Sequence, residues 1–275
     1  MLIEVVAALV SRSLALLADA GHMLTDVGAL ALSAWALRLG ARPANGRWTY
    51  GLRRAEILSS ALNAIVLVVI GLVIGVEAVI RLWSPQPVHG STVLGVALLG
   101  ALVNVVAAGV LAGADRSKLN MKSAYLHVLT DLWAFMGTAA AGLVIVVFHW
   151  SRADAVAALV VCGLIARTSW RLLREAGTIL LQGAPDDLDL IAVRTHLLEV
   201  PHVLSVHDLH AWTVSSESPT LSAHVVVEDN CFETGHAPQV LDDLQRCLTS
   251  HFDVTHVTLQ LETQTHDDHE ANDCD

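Results

Sequence analysis

The chain is 275 residues long, 54% hydrophobic and only 16% charged, too apolar for an ordinary soluble domain. Its net charge of −11 comes mostly from the last third and the acidic end, and no basic patch there points to nucleic acid. The four cysteines, Cys162, Cys231, Cys247 and Cys274, show no CxxC spacing and read as reduced thiols rather than a disulfide framework, Cys274 being either a free terminal thiol or a metal contact.

The first segment, MLIEVVAALV at 1–10, is apolar but short. Ten helical residues rise about 15 Å, half of a hydrocarbon core. It lacks a charged leader and a small-residue cleavage signature. It reads as the second half of a membrane helix, from a chain that begins late. Five longer apolar helices are predicted at 13–39, 53–83, 91–114, 119–148 and 153–178. Residues 57–80 carry a single charge, Glu77, and a run of roughly 20 apolar residues crosses a bilayer.

Loop charges set the orientation. Arg38, Arg42, Arg47, Arg53 and Arg54 fall in one connection. Arg116, Lys118 and Lys122 fall in another, and Arg167, Arg171 and Arg174 at the end of the last helix. The alternate connections hold Arg12, Arg81 and Arg152. Eleven against three places the first set, and the tail that follows it, in the cytoplasm.

Beyond about residue 185 the pattern changes to α-β-β-α-β. Helices are expected at 186–199 and 236–251. Strands are expected at 203–214, 221–228 and 254–262, with a Ser-Glu-Ser-Pro turn between the first two. Three strands with two helices on one face form a small α+β layer. The expected domains are a transmembrane part at 1–183, a cytoplasmic α+β part at 184–262 and a disordered tail at 263–275.

Two nearly identical words stand in the apolar part: HMLTD at 22–26 and HVLTD at 127–131. On a helix, residues four apart share a face, so His22 with Asp26, and His127 with Asp131, each reach one point. An aspartate in hydrocarbon costs a few kcal/mol and needs a partner or a role. A single HxxxD is more simply packing between helices. Two copies favour one shared site of two imidazoles and two carboxylates. That set suits Zn2+, Co2+, Ni2+ or Cd2+ and disfavours Mg2+ and Ca2+. Thr25 and Thr130 either donate to the carboxylates or pack between helices. Asp19, one turn before His22, either relays protons or caps the helix start. Glu77 is expected to pair with Arg81 at i,i+4. Asn104 is expected to bond between helices, and Asp154 to favour the dipole at the start of its own helix.

The runs SLALLADAGHMLTDVGALALSAWA, RWTYGLRRAEILSSALNA, EAVIRLWSPQPV, SAYLHVLTDLWA, SRADAVAALVV and HDLHAWTVSSESPTLSAHVVV resemble the cation diffusion facilitators. They are most similar to the bacterial zinc-exporting branch, itself similar to the vertebrate zinc transporters. The resemblance spans residues 3 to about 262. It implies a six-helix membrane bundle with its first helix incomplete here. It also implies a metallochaperone-like cytoplasmic domain, a homodimer in the bacterial inner membrane, and export of a divalent metal in exchange for protons. The implied cargo is zinc, with cadmium, cobalt or nickel as further candidates, and no organic cofactor. The transport site it implies is His22, Asp26, His127 and Asp131. In the cytoplasmic domain it implies a regulatory zinc site around His207, His224, His236, Gln260 and Glu262. His210, three residues after His207, is expected to point elsewhere. Leu52 stands where some relatives carry a loop histidine, and GADRSKLN lacks the histidine-rich tract of the vertebrate branch, so metal capture by loops is not expected.

Two other classes compete, and a third reading, a transporter for manganese or iron, is disfavoured by the composition of the site. A membrane metallohydrolase needs an activating Glu and an open metal position, as in HExxH, and both words lack the Glu. A membrane-anchored metal sensor or structural metal-binding protein remains the alternative to a transporter.

Overall fold

The computed structural model describes residues 2–112, 119–215, 219–252, 254 and 256–267. Arg116 and Lys118 of the basic connection, residues 216–218 of the expected turn, Cys274 and the tail beyond 267 lie outside them. The chain forms two compact units. One comprises Met1–Leu32 and Leu62–Leu173, the other Ser33–Ala61 and Arg174–Asp275.

The apolar part opens with a short helix, α1 (Leu2–Ser11). It continues as α2 (Leu14–Gly40), α3 (Ala55–Trp83), α4 (Gly90–Ala112), α5 (Leu119–Phe148) and α6 (Arg152–Leu180). The five expected long helices therefore form with ends within a few residues of prediction. Among the described residues, these five are long and apolar enough to cross a membrane. Leu72, Val76, Val110 and Trp133 stand exposed on them, which a water-facing surface would not tolerate in such density.

Three devices hold the helices. Ser13 accepts from the backbone N–H of Leu16 and donates to Asp154 on α6. Asp154 also accepts from the N–H groups of Leu14 at 2.7 Å and Ala15 at 3.4 Å. Asp154 therefore caps α2 across the bundle rather than serving its own helix alone, a correction to the expectation. The free N–H groups of a helix start need such acceptors. Second, Glu77 and Arg81 pair at 2.9 Å as expected, and Arg81 also donates to the carbonyl of Arg12. Third, α4 and α5 pack closely through small residues. A Cβ on Gly142 would lie 2.8 Å from the backbone nitrogen of Leu94. Asn104, expected between helices, instead donates to Gly100 O on its own helix.

The last part holds α7 (Leu190–Leu198), β1 (Val203–Thr213), β2 (Pro219–Val227), a short α8 (Asn230–Glu233), α9 (Ala237–His251), β3 (His256–Glu262) and a single turn, α10 (Gln264–Asp267). The predicted order is met. The two short helices were missed because four residues are too few to show a period. α7 starts later than predicted because Asp189 caps it, accepting from Ile191 N and Ala192 N. Residues 264–267 of the expected disordered tail are helical.

The sheet order is β1-β2-β3, with β1 antiparallel and β3 parallel to β2. A parallel neighbour requires a crossover, and α8 with α9 supplies it. Leu221, Ala223, Val225 and Val227 alternate along β2 and join Val193 and Leu197 of α7 and Val240, Leu244 and Leu248 of α9 in one core. The even-numbered residues of β2 therefore face the other way. Cys162, Cys231 and Cys247 are free thiols. Burial, with Glu228 nearby, pushes the Cys231 thiol up, and burial with Glu199 does the same for Cys247.

Gly142→Ala is expected to force α4 from α5 and cost roughly 1–3 kcal/mol. A lowered thermal unfolding midpoint of the protein in detergent would show it; an unchanged midpoint would mean that the two helices are free to separate.

Candidate metal centres

His22 and Asp26 lie on one face of α2, and His127 and Asp131 on one face of α5. The bundle brings the two pairs together. His22 Nε2 is 3.8 Å from Asp26 Oδ2 and 4.0 Å from Asp131 Oδ1. His127 Nε2 is 3.4 Å from Asp26 Oδ2 and 3.7 Å from Asp131 Oδ2. Each imidazole nitrogen thus faces both carboxylates, and the ring centroids are 6.1 Å apart. One residue away on each helix, Met23 and Leu132 pack against the cluster of Ala97, Ala101, Phe135 and Ala139. This clamp fixes α2 and α5 at the level of the four ligands. A Cβ on Gly100 would overlap the Phe135 ring, so a glycine there lets the ring lie against α4.

The threonine hydroxyls of the two words bond within their own helices rather than to the carboxylates. Thr25 donates to the carbonyls of His22 and Gly21 and Thr130 to that of Leu126, all on their own helices. Asp19 lies well inside α2, whose start Ser13 and Asp154 already cap, so it is not a cap. It is 4% exposed, and its Oδ2 is buried with no hydrogen-bond partner among the described residues.

In the sheet, His207, His224 and Gln260 form one row across β1, β2 and β3, on the face turned away from the helices. Glu262, two residues along β3, is buried beneath them. Its Oε1 lies 2.9 Å from His224 Nδ1, and its Oε2 3.3 Å from His207 Nε2. Gln260 donates to Oε1 at 2.7 Å. His207, His224 and Glu262 present three ligand atoms close enough to share one ion. His236 is not among them. It sits at the start of α9 with its ring 5.4 Å from that of His202.

Asp208 escaped the sequence reading. The register slips between His207 and His210, where Asp208 takes φ 48°. This β-bulge adds one residue to β1. It returns His210 to the sheet face of His207 and His224, against the expectation that it points elsewhere. Asp208 lies 2.8 Å from His210 Nε2 and 3.8 Å from His224 Nε2. The acid inside HDLH was the available signal, but strict alternation assigns it to the opposite face.

The cation efflux transmembrane domain family matches residues 1–181, and the cation efflux protein cytoplasmic domain family matches residues 185–264. This chain belongs to the cation efflux, or cation diffusion facilitator, family. It is 40% identical over 260 residues to the metal cation efflux system protein CzcD of Cupriavidus metallidurans, covering 94% of this chain and 81% of that one. It is 39% identical over 266 residues to the zinc transporter ZitB of Escherichia coli, covering 96% and 83%. A cadmium, cobalt and zinc/H(+)-K(+) antiporter of Bacillus subtilis is 33% identical over 276 residues, covering 100% and 88%. A solved structure, the metal-bound C-terminal domain of the CzcD transporter, matches 27% of this chain and 99% of its own at 39% identity, with a TM-score of 0.25. The chain is thus a divalent metal cation efflux transporter, a multi-pass membrane protein with a cytoplasmic C-terminal domain.

Glu262→Ala removes the buried carboxylate that both histidines of the sheet face approach. It is expected to lower bound zinc by one ion per chain while leaving the helix site loaded. Metal content after dialysis of the purified protein measures this, and unchanged content would exclude the sheet-face site.

Proposed function

We propose that this protein exports Zn2+ from the cytoplasm in exchange for protons. The observation that carries the reading is the meeting of four N/O side chains on two membrane helices, each imidazole within 4.0 Å of both carboxylates. His22, Asp26, His127 and Asp131 are the transport ligands, and cadmium, cobalt or nickel are further cargoes that an imidazole-carboxylate set accepts. The zinc named for ZitB and the antiport named for the Bacillus protein support the same reading.

The exchange follows from the chemistry of the site. Protons and metal bind the same carboxylate oxygens and imidazole nitrogens of this site. Zn2+ needs the deprotonated ligands and displaces those protons. In the cytoplasm-facing state the metal wins, and in the outward-facing state protons expel it. Metal and protons compete for the same side chains, so alternating access of α2 and α5 couples the two flows. Asp19, buried one turn before His22, is the proton relay.

The chain works as a homodimer in the bacterial inner membrane, with a transmembrane domain at 1–183 and a cytoplasmic domain at 184–262. In that domain His207, His224 and Glu262, with Gln260 holding the carboxylate, bind zinc as a regulatory ligand.

Zinc added to proteoliposomes with a pH dye inside is expected to move protons, and Asp131→Ala to abolish the movement. Zinc movement without proton movement in the unaltered chain, with the protein correctly folded, would overturn the proton exchange and leave efflux driven by another gradient. Asp19→Asn is expected to slow proton movement severalfold while zinc still binds at the helix site by calorimetry. Unchanged rates would remove Asp19 from the path.

A further inference from the structure

A second group of metal-ligating side chains stands at the end of the β1–β2 pair where Val203 meets Val227 and shares no residue with the site of His207, His224 and Glu262. His202 precedes β1, Glu228 follows β2 and Cys231 is the second residue of α8. One ligand atom from each lies within 4.8 Å of the others. His202 Nδ1 is 2.9 Å from Glu228 Oε2. Cys231 reaches the group from the helix-side core, where it is 1% exposed. His202 and Glu228 meet it from the half-exposed rim.

The backbone is built around this meeting. His202 takes φ 73°, a left-handed conformation that histidine adopts more readily than most side chains. The N–H of Glu228 donates to His202 O at 3.0 Å, that of Cys231 to Glu228 O at 2.9 Å, and that of His236 to Cys231 O at 2.8 Å. These bonds tie all four residues into one knot. The His236 ring packs on that of His202 at 5.4 Å, and His236 is exposed at the start of α9, next to the group.

We propose that His202, Glu228 and Cys231, with His236 as the fourth ligand, form a second cytoplasmic site for a thiophilic divalent cation such as Zn2+, Cd2+ or Co2+. Four ligands of S, N and O donors match the closed tetrahedral sites of zinc. The thiolate distinguishes this site from the two others, which offer N and O alone, and biases it toward softer ions. Binding displaces the thiol proton to solvent through His202 or Glu228. Because Cys231 belongs to the core, metal here ties the rim of the sheet to the packing of α9, giving the domain a metal-dependent stiffness separate from the sheet-face site.

Cobalt titration of the full chain in detergent tests the assignment. A thiolate-to-cobalt charge-transfer band in the near ultraviolet is expected, because neither the helix site nor the sheet-face site holds sulfur. The band is expected to vanish in Cys231→Ser and to persist in Cys247→Ser and Cys274→Ser. His202→Ala and Glu228→Gln keep the core thiol in place, so they carry the test if Cys231→Ser fails to fold. Each is expected to weaken cobalt binding at this band by roughly tenfold or more. No band, a band that survives Cys231→Ser, or a band indifferent to His202→Ala would overturn the site. The outcome is independent of transport, since Asp131→Ala leaves all four residues intact.

Discussion

Two carboxylates held among apolar helices, Asp26 and Asp131, set the terms for the membrane part. Each costs a few kcal/mol to place in hydrocarbon, and each is offset by the same pair of imidazoles. His22 and His127 both face both aspartates, so neither acid is satisfied by its own helix alone. That arrangement depends on α2 and α5 staying in register. The cap of α2 by Ser13 and Asp154, the close approach of α5 to α4 at Gly142, and the packing of Met23 and Leu132 beside the ligands all serve that register. A site whose ligands come from two rigid elements can be loaded or emptied by small movements of one against the other.

The cytoplasmic domain solves the same problem in a different medium. Glu262 is a buried acid, and the sheet supplies its partners by register rather than by helical spacing. His207, His224 and Gln260 align in one row because β1, β2 and β3 pair at those residues. The helices take the opposite face for the core, leaving the row free for polar chemistry. The bulge at Asp208 then enlarges the polar face, bringing His210 round and setting an acid against His224. At the rim, the exposed His202–Glu228 pair draws the Glu228 carboxyl below the usual range, the hydrogen bond from His202 being the main cause.

Much of this was legible in the sequence because it is local. The five long helices follow from apolar length, the order of strands and helices along the last third from periodicity, and the pairing of His22 with Asp26 and of His127 with Asp131 from the i,i+4 rule. The family words around them implied that the two pairs meet. The composition of the pairs, two imidazoles with two carboxylates, points to zinc-like divalent ions rather than Mg2+ or Ca2+.

Tertiary structure decided what sequence periodicity does not encode. The words at 22–26 and 127–131 lie 105 residues apart, and only helix packing sets which nitrogen faces which oxygen. Thr25 and Thr130 had two candidate roles, and both hydroxyls bond instead to carbonyls of their own helices. Asp154 caps α2 because α6 lies beside its first turn, a contact no local rule contains. Asp208 and His210 were misplaced because one inserted residue inverts the parity of a strand, and a bulge leaves no mark in the hydrophobic pattern. His236 belonged by resemblance to the sheet-face site, yet it stands against His202, since the turn through Gly235 (φ 75°) sets where α9 begins. The sequence by itself determined which side chains were costly enough to need a purpose; the fold determined which of them share it.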